Sequence, residues 1–163
     1  MNTPDAINAA AGMSTMVLSK YLEDLDDADL LRRPGPGCNH LAWQLGHLIS
    51  SEAALLNSVA PGAAAELPDG FAEQHGKDAT NADDPAKFCS KAQYLELFEQ
   101  ARAATKAALE GLSAEVLDAP APEHMRSFFP TVGHMFMLMA MHPMMHAGQF
   151  VPVRRELGKP VAI

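Results

Sequence analysis

The apolar residues of the chain recur every three to four positions in four long segments, and this pattern predicts four long α-helices. The first segment begins at Thr3-Pro4, where threonine suits a helix cap and proline the first helical position. Its core stripe is predicted to comprise Ile7, Ala11, Ser14, Leu18, Tyr21 and Leu25. The second segment has Asn39 as its predicted cap and ends at Pro61-Gly62.

The third predicted helix begins at Ser90, which forms a capping box with Gln93, and a connector with one helical turn after Ser113 follows it. The fourth begins after Thr131 and runs to roughly Leu157. Its stretch "MFMLMAM" alternates like a strand, but methionine and leucine favour helix and β-branched residues are nearly absent. The pattern therefore predicts helix there too.

A long polar connection, residues 61–89, separates the second and third predicted helices. Connections of this length are unusual inside a compact domain and often serve as a lid or a binding loop. We find no internal repeat and no pair of strand-like segments joined by a hairpin turn. The sequence therefore predicts an all-α fold, a four-helix bundle with one long connecting loop between helices 2 and 3, as a single domain over residues 1–163.

Charge, apolar runs and cysteine content limit the partners and the cellular location that the sequence predicts. The chain has 20 acidic residues against 12 Lys and Arg and no basic cluster, which argues against nucleic acid and anionic membranes. Residues 127–153 carry no charged side chain, but histidines, a glutamine and three prolines interrupt them, so no membrane span is predicted. The start lacks the pattern of a signal peptide, and Cys38 and Cys89 make no disulfide framework. We expect a cytoplasmic protein with reduced thiols.

Two histidines in the fourth predicted helix, His142 and His146, have a spacing that suits a shared ligand. Residues four apart lie on one helix face with their β-carbons about 5–6 Å apart. Five further residues fall on the same side and predict that it faces inward: Met135, Leu138, Met145, Gln149 and Val153. Buried imidazoles need partners, because an unsatisfied polar group is costly in the core.

The second predicted helix carries a matching stripe, formed by His40, Trp43, His47 and Ser51. If the two stripes face each other, His47, His142 and His146 form a site of three nitrogen ligands, and such a site keeps an open coordination position. Gly46 and Gly148, next to two of these histidines, would let the helices approach closely.

Two observations weigh against a metal site. Pro143 directly follows His142 and is expected to kink the helix, which would re-aim one imidazole relative to the other. An HxxxH pair without an intervening glutamate is also weak evidence by itself, because such histidines are often surface or capping residues. His124 and His134 are interpreted in that way. The residues alone therefore leave metal binding and a structural role both open.

The motif set resembles a known family. "NHLAWQLGHLISSE", with "MHPMMHAGQFVPVRRELGKP" far downstream, is similar to the DinB/YfiT-like superfamily of metal-dependent proteins. The segments "RRPGPGCN" and "LPDGFAEQHG" resemble family segments too, so the similarity spans nearly the whole chain. The resemblance implies a DinB-type four-helix bundle, usually dimeric, with a divalent ion, zinc or nickel, on His47, His142 and His146. The proline in "HPMMH" departs from the family pattern.

The resemblance also implies an activity class, because characterised branches include transferases and isomerases that use low-molecular-weight thiols. Our leading hypothesis is a metal-dependent enzyme, of transferase or hydrolase type, acting on a small-molecule substrate. The open metal position would bind a thiol or a water and lower its pKa. His40 and Gln149 are candidates for orienting the rings. His75 could reach in from the long loop as an acid or base, although an exposed position is expected for it.

Two other classes stay open. Seven of the ten methionines lie between Met125 and Met145, and thioether with imidazole suits copper(I), which would make the chain a non-catalytic metal-binding protein. Against this, helical geometry spreads Met137, Met139 and Met141 around the axis. The other class is a structural dimer whose histidines satisfy one another. Arg154 and Arg155 could hold an anionic group, or could simply be cations favoured near a helix C-terminus.

Overall fold

The computed structural model describes residues 1–79 and 84–161, and within these ranges the regular structure is helical. The four long helices confirm the all-α prediction and are α1 (Thr3–Leu22), α3 (Leu41–Val59), α5 (Lys91–Glu110) and α7 (Val132–Glu156). Three short helices join them: α2 (Asp27–Leu30), α4 (Phe71–Gln74) and α6 (Ala114–Asp118). Single 3₁₀ turns occupy Lys77–Ala79, Pro85–Lys87 and Glu123–Met125.

The long helices form a bundle in which α7 packs most extensively against α1, and α3 packs against both α5 and α7. The predicted stripe of α1 is buried except for Ala11, which is half-buried. None of the helices in the described ranges combines the length and apolar character that a bilayer crossing requires.

The helix ends follow local capping chemistry. Ser90 and Gln93 form the predicted capping box of α5, and Thr131 caps α7 as predicted. The helical turn predicted after Ser113 is α6, and Ser113 caps it. Two caps lie one residue away from their predicted positions. Asn2 caps α1 instead of Thr3, and His40 caps α3 instead of Asn39 because its Nδ1 accepts the backbone N–H of Trp43 at 3.0 Å. An imidazole nitrogen can accept this bond in the same way as an asparagine oxygen.

The long connection between α3 and α5 is more structured than its polar sequence predicts. Besides α4 and two 3₁₀ turns, it contributes Phe71 and His75 to the core, at 3% and 1% exposure. Gly70 enters α4 with a left-handed φ of 75°, which glycine adopts without strain. Residues 80–83 of this connection lie outside the described ranges. The described part is thus fastened to the bundle.

Candidate metal centre

Three imidazoles converge between α3 and α7. His47 comes from α3, His142 and His146 come from α7, and one ring nitrogen of each lies within 4.8 Å of the other two. The ring centroids are 4.9 Å apart for His142 and His146, and 5.3 and 5.5 Å from these to His47. A tetrahedral zinc ion with bonds of about 2.0–2.1 Å places its nitrogens about 3.4 Å apart. Rotation of the three side chains would bring their ring nitrogens to this separation. The residues therefore fit a metal ion held by three imidazoles.

The inward face of α7 differs from the predicted one. His146 is buried at 8% exposure, but His142 is only half-buried, Met145 is 65% exposed and Gln149 is exposed. Because α7 packs against both α1 and α3, its buried face is wide and is centred near Ala147 rather than on His142. The ring cluster lies at the margin of this face, so a ligand can approach it from one side.

A buried glutamine fixes the orientation of His146. The Nδ1 of His146 lies 2.9 Å from Oε1 of Gln44, an oxygen that only accepts, so Nδ1 carries the proton and Nε2 keeps a lone pair. The amide of Gln44 is held in turn, since its Nε2 donates to the carbonyl of Asn39 at 2.9 Å. Sequence reasoning proposed Gln149 for such a role and missed Gln44. The available signal was a lone amide inside the apolar run "LAWQLGH".

His47 is positioned by residues of its own helix. Its ring stacks on the indole of Trp43, with centroids 4.9 Å apart and the planes within 6° of parallel. Oγ of Ser51, one turn further along the helix, lies 3.3 Å from Nδ1 and 3.5 Å from Nε2 of the same ring. The indole N–H of Trp43 donates to the carbonyl of Gly76, so the same tryptophan ties the long connection to the site.

Burial keeps all three imidazoles neutral at physiological pH. Loss of hydration lowers the pKa of His142 to about 4 and that of His146 to about 3, and neighbouring imidazoles add to both shifts. The pKa of His47 is lowered by burial first and by the charge of Lys77 second. Neutral rings have the free lone pairs that metal coordination requires.

His75 is buried and fully engaged, contrary to the expectation of an exposed loop histidine. Its Nδ1 lies 2.7 Å from the carbonyl of Phe71, and its Nε2 lies 2.8 Å from the hydroxyl of Tyr94. Because the carbonyl only accepts, Nδ1 donates to it and Nε2 accepts the Tyr94 proton. His75 therefore fastens the long connection to α5.

The two glycines have roles different from the predicted one. A β-carbon at Gly46 would lie 2.0 Å from Cδ2 of His75, so this glycine makes room for the His75 ring and not for a second helix. A β-carbon at Gly148 would meet nothing within 4 Å, so the predicted close approach there is wrong.

The other candidate residues lie in structural environments. His40 is 1% exposed, caps α3 and lies edge-on to Phe88, whereas Gln149 points away from the core. Arg154 is 2% exposed, and its guanidinium donates hydrogen bonds to the carboxylate of Asp24 and to the carbonyls of Tyr21 and Pro160. Arg154 is thus committed to joining α7 to the end of α1.

The exposure of the remaining histidines, of the cysteines and of three methionines can also be compared with the sequence-based predictions. His124 and His134 are exposed, and Cys38 and Cys89 are half-buried free thiols. The exposures of Met137, Met139 and Met141 are 41%, 1% and 37%. This alternation confirms that these three methionines cannot all face one ion.

Fold and site together define a helical bundle whose histidine triad could hold a metal ion. The family model of the DinB superfamily matches residues 13–150, and the chain therefore belongs to this superfamily. Among solved structures, a conserved protein from Enterococcus faecalis has the same fold, with a TM-score of 0.72 and 17% sequence identity over 98% of this chain and 99% of that one. A search of curated proteins gives no match.

Proposed function

We propose that the protein binds one divalent metal ion, zinc or nickel, through His47, His142 and His146. The observation that carries this proposal is the convergence of three neutral imidazoles at the edge of the core. Three protein ligands leave a coordination position for a further molecule, as in catalytic zinc sites. The half-buried position of His142 leaves room for that molecule on the solvent side.

We further propose that the centre is catalytic and that the chain is a thiol-dependent transferase or isomerase acting on a small molecule. A bound divalent cation would lower the pKa of a coordinated thiol or water. Gln44 would hold the ring of His146 in its metal-binding tautomer, and Trp43 would shield His47 from water. The resemblance to thiol-using branches of the superfamily supports this substrate class. It also supports a homodimer, while the acidic composition speaks against a nucleic-acid partner and the absence of a signal-peptide pattern favours the cytoplasm.

Metal content tests the first proposal. We expect one zinc or nickel per chain by elemental analysis of the purified protein, and loss of this metal in His47→Ala, His142→Ala and His146→Ala. The matched controls are His124→Ala and His134→Ala, which remove exposed histidines and should retain the metal. Helical circular dichroism verifies that each variant folds. Folded triad variants with full metal content would contradict the proposal.

Activity requires a separate screen, because the substrate is defined only as a class. The metal-loaded protein would be incubated with a panel of low-molecular-weight thiols and electrophiles, and thiol consumption would be followed. We expect turnover that disappears in His142→Ala and with chelator. Metal binding without turnover on any pair would favour a non-catalytic protein.

A copper(I) site is the second candidate, and the position of Met145 favours it. Met145 is 65% exposed, follows His142 by three residues and directly precedes His146, so it is a solvent-accessible thioether close in sequence to two of the three histidines. Tighter binding of copper(I) than of zinc, weakened in Met145→Leu, would support this candidate. An unchanged affinity for both ions in Met145→Leu would remove it. A purified chain that gains no stability from any of these ions would favour a purely structural role for the histidines.

A further inference from the structure

Pro143 lies inside α7 between the two histidines and leaves a buried carbonyl without its usual partner. In an α-helix the amide of residue i donates to the carbonyl of residue i−4, so a proline at position 143 removes the donor to Met139. Met139 is 1% exposed, and a buried carbonyl needs a replacement donor. Pro152 differs in this respect, because the carbonyl that it frees belongs to the exposed Gly148.

Arg102 on α5 supplies the replacement donor. Its Nη1 lies 2.8 Å from the carbonyl oxygen of Met139 and 2.9 Å from Oε2 of Glu52. Met139 belongs to the helix of His142, and Glu52 belongs to the helix of His47. One guanidinium nitrogen, from a helix that carries none of the three histidines, therefore connects the two helices that do.

The connection made by Arg102 lies largely out of contact with solvent. The side chains of Arg102 and Glu52 are 11% and 4% exposed, and Oε1 of Glu52 accepts the hydroxyl proton of Thr105 at 2.6 Å. A buried ion pair needs further hydrogen bonds to offset its loss of hydration. Both carboxylate oxygens of Glu52 are bonded here, whereas Nη2 of Arg102 is buried without a hydrogen-bond partner among the described residues. The next carbonyl, that of Ala140, accepts from Oγ of Ser14 on α1 at 2.5 Å. Neighbouring helices thus hold α7 just before His142.

We propose that Arg102 is a positioning residue for the candidate metal centre. It replaces the amide donor that Pro143 lacks and joins α7 to α3 through Glu52, and in this way fixes His142 opposite His47. The inference rests on the proposed metal binding. It also explains how this chain accommodates a proline between two ligands, where a helix would otherwise lose a hydrogen bond and shift one ring.

A double-mutant cycle tests the proposal. The pair variant Arg102→Met/Glu52→Gln removes the connection without leaving an unpaired buried charge, and it is made with Pro143 and with Pro143→Ala. An alanine restores the amide donor to Met139, so the cycle isolates the coupling between Arg102 and the proline. The readouts are zinc affinity, by competition with a chromophoric chelator, and the visible absorption of the cobalt(II)-loaded protein.

We expect the pair variant to lower zinc affinity at least about tenfold and to alter the cobalt spectrum when residue 143 is proline, as losses around metal ligands commonly do. With alanine at position 143, the same pair variant should lower zinc affinity by less than about threefold. The matched control is Lys106→Met/Glu110→Gln, which removes an exposed ion pair of the same helix and should change neither readout.

The other possible results distinguish a failure of the proposed Arg102 role from a failure of the proposed metal binding. An equal loss of affinity in both backgrounds, or no loss with proline, would overturn the role of Arg102 while leaving the metal site intact. Failure of the unmodified protein to bind zinc, nickel or cobalt would overturn the proposed function and this inference together. If the pair variant does not fold, Arg102→Lys replaces it, because lysine keeps the charge beside Glu52 but has a shorter reach towards Met139. Unchanged affinity in that variant would likewise overturn the proposal.

Discussion

At the scale of single residues, the site depends on groups that hold the histidines as much as on the histidines themselves. Gln44 fixes the tautomer of His146 through a 2.9 Å bond, and Trp43 fixes the plane of His47 by stacking. A ring that is fixed before the metal arrives loses less freedom on binding. The polar partners of a ligand therefore contribute to affinity without touching the ion.

Gln44→Leu is expected to lower zinc affinity by about 10- to 100-fold, because His146 loses the acceptor that fixes its tautomer. Leucine has a similar volume, so the helix should remain packed. Gln149→Leu is the matched control, since it removes an exposed amide three residues after the same histidine and should leave affinity unchanged. Chelator competition measures both variants. Equal affinities for the two would show that the Gln44 bond has no part in binding.

A pair of glycine substitutions separates crowding from helix propensity. Gly46→Ala should destabilise the fold by about 1–3 kcal/mol, because its β-carbon would meet the His75 ring at 2.0 Å. Gly148→Ala should instead stabilise α7 by about 0.5–1 kcal/mol, since nothing lies within 4 Å. Urea unfolding measures both free energies. A harmless Gly46→Ala would mean that His75 can leave its place against α3 at little cost.

At the scale of helices, the sequence correctly predicted the features that depend on residues close together in the chain. Helix periodicity, the caps at Ser90 and Thr131 and the helical turn after Ser113 are short-range features, and the structure confirms them. The faces of α7 were less predictable, because the helix has neighbours on two sides and its buried arc depends on both. The burial of His75 was missed for a related reason: its partner Tyr94 is 19 positions away in sequence.

The C-terminal end of α7 depends on one buried cation. Arg154→Met is expected to destabilise the fold by about 1–3 kcal/mol, because the carbonyl of Tyr21 loses its donor inside the core. Arg155→Met, which removes the exposed neighbouring cation, should change the free energy of unfolding by less than about 0.5 kcal/mol. Thermal or urea unfolding compares the two. Similar small effects would show that solvent can replace the Arg154 bonds.

At the scale of the whole molecule, the proposed metal site would couple metal binding to protonation and folding. The sequence and the family resemblance predicted the bundle and brought three distant histidines into one hypothesis. They could not supply the position of Gln44 or the link from Arg102 to Met139, because both depend on how packed helices align. A metal that binds only the folded chain stabilises it by about 2.7 kcal/mol when its concentration is a hundred times the dissociation constant.

The metal-free protein is expected to lose stability as the pH falls below about 6.5. Burial lowers the pKa of His47, His75, His142 and His146 in the folded state, so the unfolded chain binds more protons than the folded one below that pH. The stabilising contribution is complete above the unfolded value and is lost progressively towards the folded values, which are about 4 for His142 and about 3 for His146.

Urea unfolding of metal-free protein at pH 7.5, 6 and 5 measures this dependence. Each proton taken up only on unfolding contributes a slope of about 1.4 kcal/mol per pH unit, so His146→Gln should flatten the profile and His134→Gln, at an exposed position, should leave it unchanged. Zinc competes with the same protons for neutral rings, so its stabilising effect should be largest at pH 7.5 and should shrink at pH 5. A profile that is flat from pH 7.5 to 5, with a zinc effect independent of pH, would mean that folding does not lower the pKa of these imidazoles.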